Sequence, residues 1–434
     1  MASQQNHKLN SLTPSELKER LAGRQLFIWG ASIVGQGMAK ALQRHGIALR
    51  AYLDSSSRFQ DQGIGGYEVW APSKLLENSQ QRVQAFIIIA SGHYEDEISA
   101  KCRRAGLSSG KDYISARELS PLDPSVDVAG LCNLKCMSCP RGNMSPQPKP
   151  GFITPEVYGR VLDKLLAELP FLGSVQLYTW GEPLLHKELG AIIEMTVQRK
   201  LLCAISTNLN VKKGLERVIQ AKPDWLKVSA SGFGPSYELT HTGGNWEVFL
   251  ANLYRLKELR DKYHPQMYVE LNYHLYRHNL GDDYHNMEKL CRELRIAFRP
   301  NWAYLYPLDN VLTYCQGGEL STQAKDTMKL LVMDIDQGLA KASAQKDLPC
   351  AEDRCFPITW DLKVKGCGAY FQPVIADNFL ETPLQDILAK RLESGICGVC
   401  RQHALHRFTS VYLEEASAKE ALAVREVAAS VDSV

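Results

Sequence analysis

The sequence predicts an α/β protein built around an incomplete six-fold β/α barrel, with a small doubly wound module before it and a cysteine-rich segment after it. Three observations carry this expectation. From about residue 122 to 310, six apolar or alternating runs read as strands, separated by helix-like stretches. From Gln25 to about Pro121 a shorter series runs strand, Gly-rich turn, helix, strand, loop, strand, helix. Beyond 310 the alternation stops and cysteines crowd together. The expected domains are therefore 1–121, 122–310 and 311–434, without a low-complexity linker between them.

Taken in order, Thr13-Pro14-Ser15-Glu16 reads as a capped helix start. The strands QLFIWG, LRAYLDS and AFIIIAS follow, with a helix after the first and another through Glu95–Ala105. The barrel strands are SVDVAG, SVQLYTW, LLCAIST, WLKVSAS, MYVELNYHL and IAFRPNWAY, with helices expected at 155–168, 187–199, 212–220, 245–262 and 283–294. In such barrels the chemistry sits at the carboxyl ends of the strands. The last segment reads as irregular and ends in a helix-like tail after Tyr412.

Composition narrows the function. The 434 residues are 45% hydrophobic, and 50 basic against 48 acidic residues leave a formal charge of +2. Neither sign forms a long run, which argues against a nucleic-acid partner. The amino terminus lacks a signal-peptide pattern and AFIIIA is too short to span a bilayer, so a cytoplasmic protein with no membrane partner is expected. Twelve cysteines in such a chain point to metal or redox chemistry rather than disulfides.

Cys132, Cys136 and Cys139 follow the first barrel strand in AGLCNLKCMSCPRG. Three thiolates on one tight loop suit an iron-sulfur cluster and leave one iron open to a small molecule. A zinc site would need a fourth ligand, and between Gly130 and Gly151 no other Cys, His, Asp or Glu occurs. The Cys-x-x-x-Cys-x-x-Cys loop resembles the signature of the radical S-adenosylmethionine (SAM) superfamily. Gly181-Glu182-Pro183, after Trp180, is similar to the family's Gly-Gly-Glu-Pro motif, which receives the methionine amino group. Ser206-Thr207-Asn208, followed by Leu209, is similar to its Ser-Thr-Asn-Gly. Ser138 stands where the family often has an aromatic.

Singly the two later matches read as a turn and a helix cap; together, at successive strand ends, they point into one mouth. The resemblance implies a TIM-like partial barrel, SAM and a 4Fe-4S cluster as cofactors, a 5′-deoxyadenosyl radical that abstracts hydrogen from substrate, and a flavodoxin- or ferredoxin-type electron donor. It also implies that Glu182 positions rather than transfers protons, and that Ser229, Ser231, Arg277 and Asn279 contact SAM. A reading of those four as loop residues serving local backbone stands beside it.

Cys350, Cys355, Cys367, Cys397 and Cys400 form a second group that ends in CGVC. A CxxC pair joined to distant cysteines makes a good metal site, with structural zinc the plainer alternative. The layout resembles the twitch or SPASM-type extension of radical SAM enzymes. That likeness implies a second, auxiliary 4Fe-4S cluster on Cys355, Cys367, Cys397 and Cys400, with Cys350 as the rival to Cys355. Cys102, Cys203 and Cys291 read as ordinary buried thiols.

In the amino-terminal module, Gly30 and Gly35 open the turn into the first helix and Asp54 ends the next strand. Such residues can admit a phosphate and bind a ribose hydroxyl, although the spacing departs from Gly-x-Gly-x-x-Gly. The stretch resembles the Rossmann-like modules of bacterial sugar-modifying enzymes; ligand binding and pure scaffolding remain equal readings. The expected reaction is oxidation or epimerisation of a small hydroxylated metabolite, with a nucleotide-linked sugar as one form of it. The alternatives are peptide maturation through cross-links or thioethers and, in another class, a nucleotide-binding dehydrogenase with structural zinc.

Overall fold

The computed structural model describes residues 11–413 except 93, 145–148 and 351. The tail expected after Tyr412 lies almost wholly outside the described residues. The chain divides into two compact units, one of residues 1–123 with 159–175 and 195–203, the other of the remainder.

In the first unit, strands β1 (Gln25–Trp29), β2 (Leu49–Leu53), β3 (Val69–Trp70), β4 (Ala85–Ile89) and β5 (Tyr113–Ser115) form a parallel sheet in the order β3-β2-β1-β4-β5. Strands β1 and β4 are near-continuous apolar runs, as a parallel sheet covered on both faces requires. The helix Pro14–Leu21 has the expected capping box between Thr13 and Glu16. Gly30 adopts a φ of +112°, and a Cβ there would press on the Ala90 carbonyl. A Cβ on Gly35 would collide with the Gly30 carbonyl oxygen, so this glycine lets the helix Ile33–Arg44 pack onto the β1 turn. At that helix's end the half-buried Arg44 guanidinium donates to the carbonyls of Lys200 (2.7 Å), Pro170 (3.2 Å) and Leu172.

A second sheet has nine strands in the order β11-β10-β9-β8-β7-β6-β12-β13-β14. Its strands are β6 (Asp123–Val126), β7 (Ser174–Gln176), β8 (Leu202–Thr207), β9 (Trp225–Ala230), β10 (Tyr268–Leu275), β11 (Ala297–Trp302), β12 (Cys355–Ile358), β13 (Val364–Lys365) and β14 (Val374–Ala376). The six strands β6 to β11 are the expected partial barrel, joined in parallel wherever their ladders are defined. The helices Pro155–Glu168, Leu189–Gln198, Leu215–Gln220, Trp246–Tyr263 and Asp282–Glu293 fall where the periodicity put them.

Two differences have physical causes. The first barrel strand ends at Val126 rather than Gly130. Past it the backbone bonds irregular partners: Asp127 N–H donates to Ile358 O (2.8 Å) and Gly130 N–H to Gly151 O (2.7 Å). The last segment is not irregular either. Helices Leu308–Cys315, Thr322–Leu330 and Ile335–Ala344 precede β12, and β12–β14 continue the barrel sheet beyond β6. Their signals were local caps, Ser321 onto Ala324 N–H and Asp334 with Gln337, which a search for long periodicity passes over.

Replacing Gly35 by Ala is expected to destabilise the protein by about 1–3 kcal/mol through overpacking against backbone. A thermal melt read by circular dichroism checks this, and an unchanged midpoint would contradict the close approach of helix and turn.

Candidate active site

The first cysteine loop is fixed by its backbone. Lys135 N–H donates to Thr242 O (2.9 Å) and Met137 N–H to Thr240 O (3.2 Å), while Asn143 Nδ2 and Thr327 Oγ1 both donate to Met137 O. Gly142 has no room for a Cβ beside the Cys136 carbonyl, and the Trp360 ring fills the space that side chains on Gly130 and Gly151 would need. Cys132, Cys136 and Cys139 are each half-buried. Burial raises all three thiols, Cys132 to about 12 and Cys139 to about 11, with the Glu182 carboxylate adding to the effect at Cys132 and Cys136. Thiols so placed need a metal's positive charge to ionise.

Glu182 joins the three strand ends. Its carboxylate is 2% exposed; Oε2 accepts from Asn208 N–H (2.8 Å), Oε1 from Leu184 N–H (3.0 Å), and its own N–H donates to Leu131 O (2.9 Å). Asn208 in turn directs Nδ2 at Cys132 Sγ (3.5 Å) and at Asn133 Oδ1 (3.1 Å). Burial pushes Glu182 up to about 7 despite these donors. A buried carboxylate held by backbone donors suits an ammonium group as counter-charge.

Gly181 is required, since a Cβ there would strike the Ala129 carbonyl oxygen. Pro183 starts a short 3-10 turn and is buried. Thr207 Oγ1 accepts from Leu209 N–H (3.0 Å), and Leu209 has a φ of +53°, the left-handed conformation that favours glycine. Ser206 lies one residue before Thr207 on β8, in register with Lys227.

The four further positions behave differently from one another. Ser229 and Ser231 lie on and just past β9, and Ser231 Oγ meets His274 Nδ1 (3.3 Å). Asn279 is wholly buried and closes the turn after β10, accepting from Tyr276 N–H (2.8 Å) and donating to His274 O (2.8 Å). Arg277 is exposed and donates through Nε to Leu331 O (2.7 Å). In the other unit, both Asp54 oxygens are engaged, Oδ2 by Ala31 N–H (2.8 Å) and Oδ1 by Ser56 N–H (2.9 Å), so the carboxylate closes its own loop.

Sequence reasoning missed three residues. Asp127, buried and raised to about 6 chiefly by burial, accepts from Trp180 N–H (3.4 Å) and Gly181 N–H (3.3 Å). Arg141 donates to Trp180 O (3.3 Å) and Gly130 O. The signal for Asp127 was an acid inside an apolar strand. Tyr276 hydrogen-bonds Ser138 through its hydroxyl (2.5 Å), bringing an aromatic ring from the end of β10 to the cysteine loop.

In the second cysteine group, burial pushes Cys350, Cys367 and Cys400 up to about 12, and charge on one raises the next: Cys400 acts on Cys350, Cys350 on Cys367, and Cys367 and Cys397 on Cys400. Cys355 Sγ instead donates to Glu352 Oε2 (2.8 Å). Arg391 holds this loop through the carbonyls of Glu352, Asp353 and Cys355. Among the described residues no three Cys, His, Asp or Glu side chains converge as ligands of a single ion. Thiolates at separate corners of a four-iron cube need not converge in that way.

The site is thus a half-barrel with three thiols at its first strand end and a buried carboxylate and amide at the next two. Residues 126–279 match the family model described as "Radical SAM superfamily", and this part of the chain is a radical SAM domain. The family implies SAM and a 4Fe-4S cluster, and the residues described above fit both.

Among curated relatives, the chain is 33% identical over 73 residues to the S-adenosyl-L-methionine-dependent 2-deoxy-scyllo-inosamine dehydrogenase of Niallia circulans. That match covers 17% of this chain and 28% of the relative's length. Solved structures similar to it include BtrN in complex with AdoMet and 2-DOIA, at 17% identity, 67% coverage of this chain, 91% of that one and a TM-score of 0.37. Another is Streptococcus suis SuiB bound to precursor peptide SuiA, at 15% identity, 69% and 77% coverage and a TM-score of 0.42. No helix among the described residues is long and apolar enough to cross a membrane.

Glu182→Ala is expected to leave two buried N–H groups without acceptors, at about 1–3 kcal/mol each, and to lower the melting temperature as well as SAM affinity. His241, buried, and His274, half-buried, are held down to about 3 and about 4, in both cases chiefly by desolvation. Their contribution to stability is therefore full above an unfolded pKa of about 6.5 and declines as pH falls toward the folded values. Melting temperatures at about pH 7.5 and about pH 5 should differ, and His241→Gln should shrink the difference.

Proposed function

We propose that the chain is a radical SAM oxidoreductase that acts on a small hydroxylated metabolite and carries an auxiliary 4Fe-4S cluster. The hydrogen-bonded chain from Glu182 through Asn208 to Cys132 carries the first part of this reading, because it joins the amino-group site, the third strand end and a cluster ligand in one rigid unit. When bound, SAM and a reduced 4Fe-4S cluster would supply radical hydrogen abstraction. The chain's own residues hold and orient: Cys132, Cys136 and Cys139 ligate, Glu182 receives the ammonium, Gly181 allows close backbone approach, and Tyr276 places a ring beside the loop. Oxidation is favoured over epimerisation by the dehydrogenase relative, named for 2-deoxy-scyllo-inosamine, a hydroxylated amino-cyclitol.

The ligands of the auxiliary cluster would come from Cys350, Cys355, Cys367, Cys397 and Cys400. Cys355 Sγ lies beside Gly368, next to Cys367, and donates to Glu352 Oε2. Such a cluster supplies a one-electron acceptor.

Replacing Cys132, Cys136 and Cys139 together by Ala is expected to abolish SAM cleavage. Replacing Cys397 and Cys400 by Ala should leave 5′-deoxyadenosine formation and block product formation. Iron and labile-sulfide analysis after anaerobic reconstitution should give about eight irons per chain in the unsubstituted protein and about four in either variant. Zinc without sulfide would reject the reading, and unchanged product from the second variant would remove the auxiliary cluster from the reaction.

A further inference from the structure

Strands β9, β10 and β11 pair in parallel, so side chains at paired positions share a face. One face is covered by helix: Tyr273 and Phe298 both pack on Tyr284 of the helix Asp282–Glu293. The opposite face lines the inside of the partial barrel, and it is polar in three successive layers. Ser231, His274 and Asn301 lie nearest the strand ends; Ser229, Asn272 and Arg299 come next; Lys227 and Glu270 lie below. Closed barrels fill these layers with bulky apolar side chains.

The charged side chains of this face are paired with one another. Glu270 is 7% exposed and lies between Lys227 Nζ (3.9 Å) and Arg299 Nε (3.8 Å). Arg299 also donates to Tyr268 Oη (2.9 Å), away from the strand ends. With Arg299 drawn to Glu270 and Tyr268, the other side chains of the two upper layers are uncharged: two hydroxyls, two amides and an imidazole that burial, with the nearby Lys227, keeps neutral. Ser229, Asn272 and His274 are only half-buried, so this wall is open to a small molecule. Asn301 is 7% exposed, and its Oδ1 is buried without a hydrogen-bond partner among the described residues. A buried acceptor left unpaired is costly unless a donor arrives.

We propose that the β9–β11 wall of Ser229, Asn272, His274 and Asn301 is the substrate-recognition surface, and that the part of the substrate it holds is an uncharged ring bearing several hydroxyl groups. Successive layers stand about 6–7 Å apart, so one ring can bond to both uncharged layers at once. Mixed donors and acceptors at fixed heights match hydroxyls, each of which can donate and accept. An apolar or charged peptide side chain would leave the wall's polar groups unpaired. The assignment rests on the function proposed above for the location of the substrate and extends it to the residues that select it.

Calorimetry on the anaerobically reconstituted full chain tests this, with SAM titrated first, then myo-inositol, scyllo-inositol, D-glucose and, as contrast, glucose 6-phosphate and an acidic octapeptide. At least one neutral polyol is expected to bind, whereas the phosphate and the peptide give no heat. Asn272→Leu and Asn301→Leu should each weaken polyol binding by roughly tenfold or more while SAM binding is unchanged. Should either leucine variant lose its native circular dichroism, the corresponding alanine variant, Asn272→Ala or Asn301→Ala, replaces it and is expected to weaken binding several-fold. Silence with all three polyols, equal affinity in the variants, or preference for the peptide overturns the assignment. SAM binding without polyol binding defeats this inference alone, whereas failure to take up iron and SAM defeats the functional reading; polyol titration without SAM still interrogates the wall in that case.

Discussion

The architecture of the site depends on one buried carboxylate. Glu182 accepts backbone N–H groups from its own turn and from Asn208, and Asn208 reaches Cys132. Three loops from three strands are thereby held in register without a metal. Charge placed out of water is tolerated only when donors surround it, and burial still holds the group up at about 7. The same carboxylate therefore shapes the mouth and leaves it electrostatically incomplete in the way a positively charged ligand would satisfy.

Around that centre the chain uses backbone acceptors and small residues rather than bulky packing. Asp127 holds the Trp180–Gly181 peptide groups, Arg141 ties the cysteine loop to the same turn, and Trp360 occupies the space left by Gly130 and Gly151. Gly181 and Gly142 each admit a carbonyl that any side chain would displace. Deeper in the barrel the constraint reverses, and polar side chains replace the apolar filling of a closed barrel.

Much of this was legible in the sequence. Six strand runs and five helices were readable because each has a period of its own, and the three cysteines because their spacing on one loop is chemically restrictive. What escaped depends on contacts remote in sequence. Tyr276 meets Ser138 only because β10 ends beside the first loop, and Asp127 acquires its role only when the second strand end folds against it. The last segment was read as irregular because its helices are short and capped locally, and because strands as short as β13 carry no periodic signal. Asp54 shows the converse: its strand-end position suggested a ribose contact, whereas its carboxylate bonds Ala31 and Ser56.

The strands β12 to β14 lie in the same sheet as the barrel, and Asp127 N–H bonds Ile358 O at the junction. The two cysteine-bearing regions thus share a continuous hydrogen-bonded lattice instead of a flexible tether. Fraying of the late-sequence strands would propagate into the turn that carries the first ligands, so separating the carboxyl-terminal segment from the barrel would strip the core of a structural edge as well as of its second group of thiols.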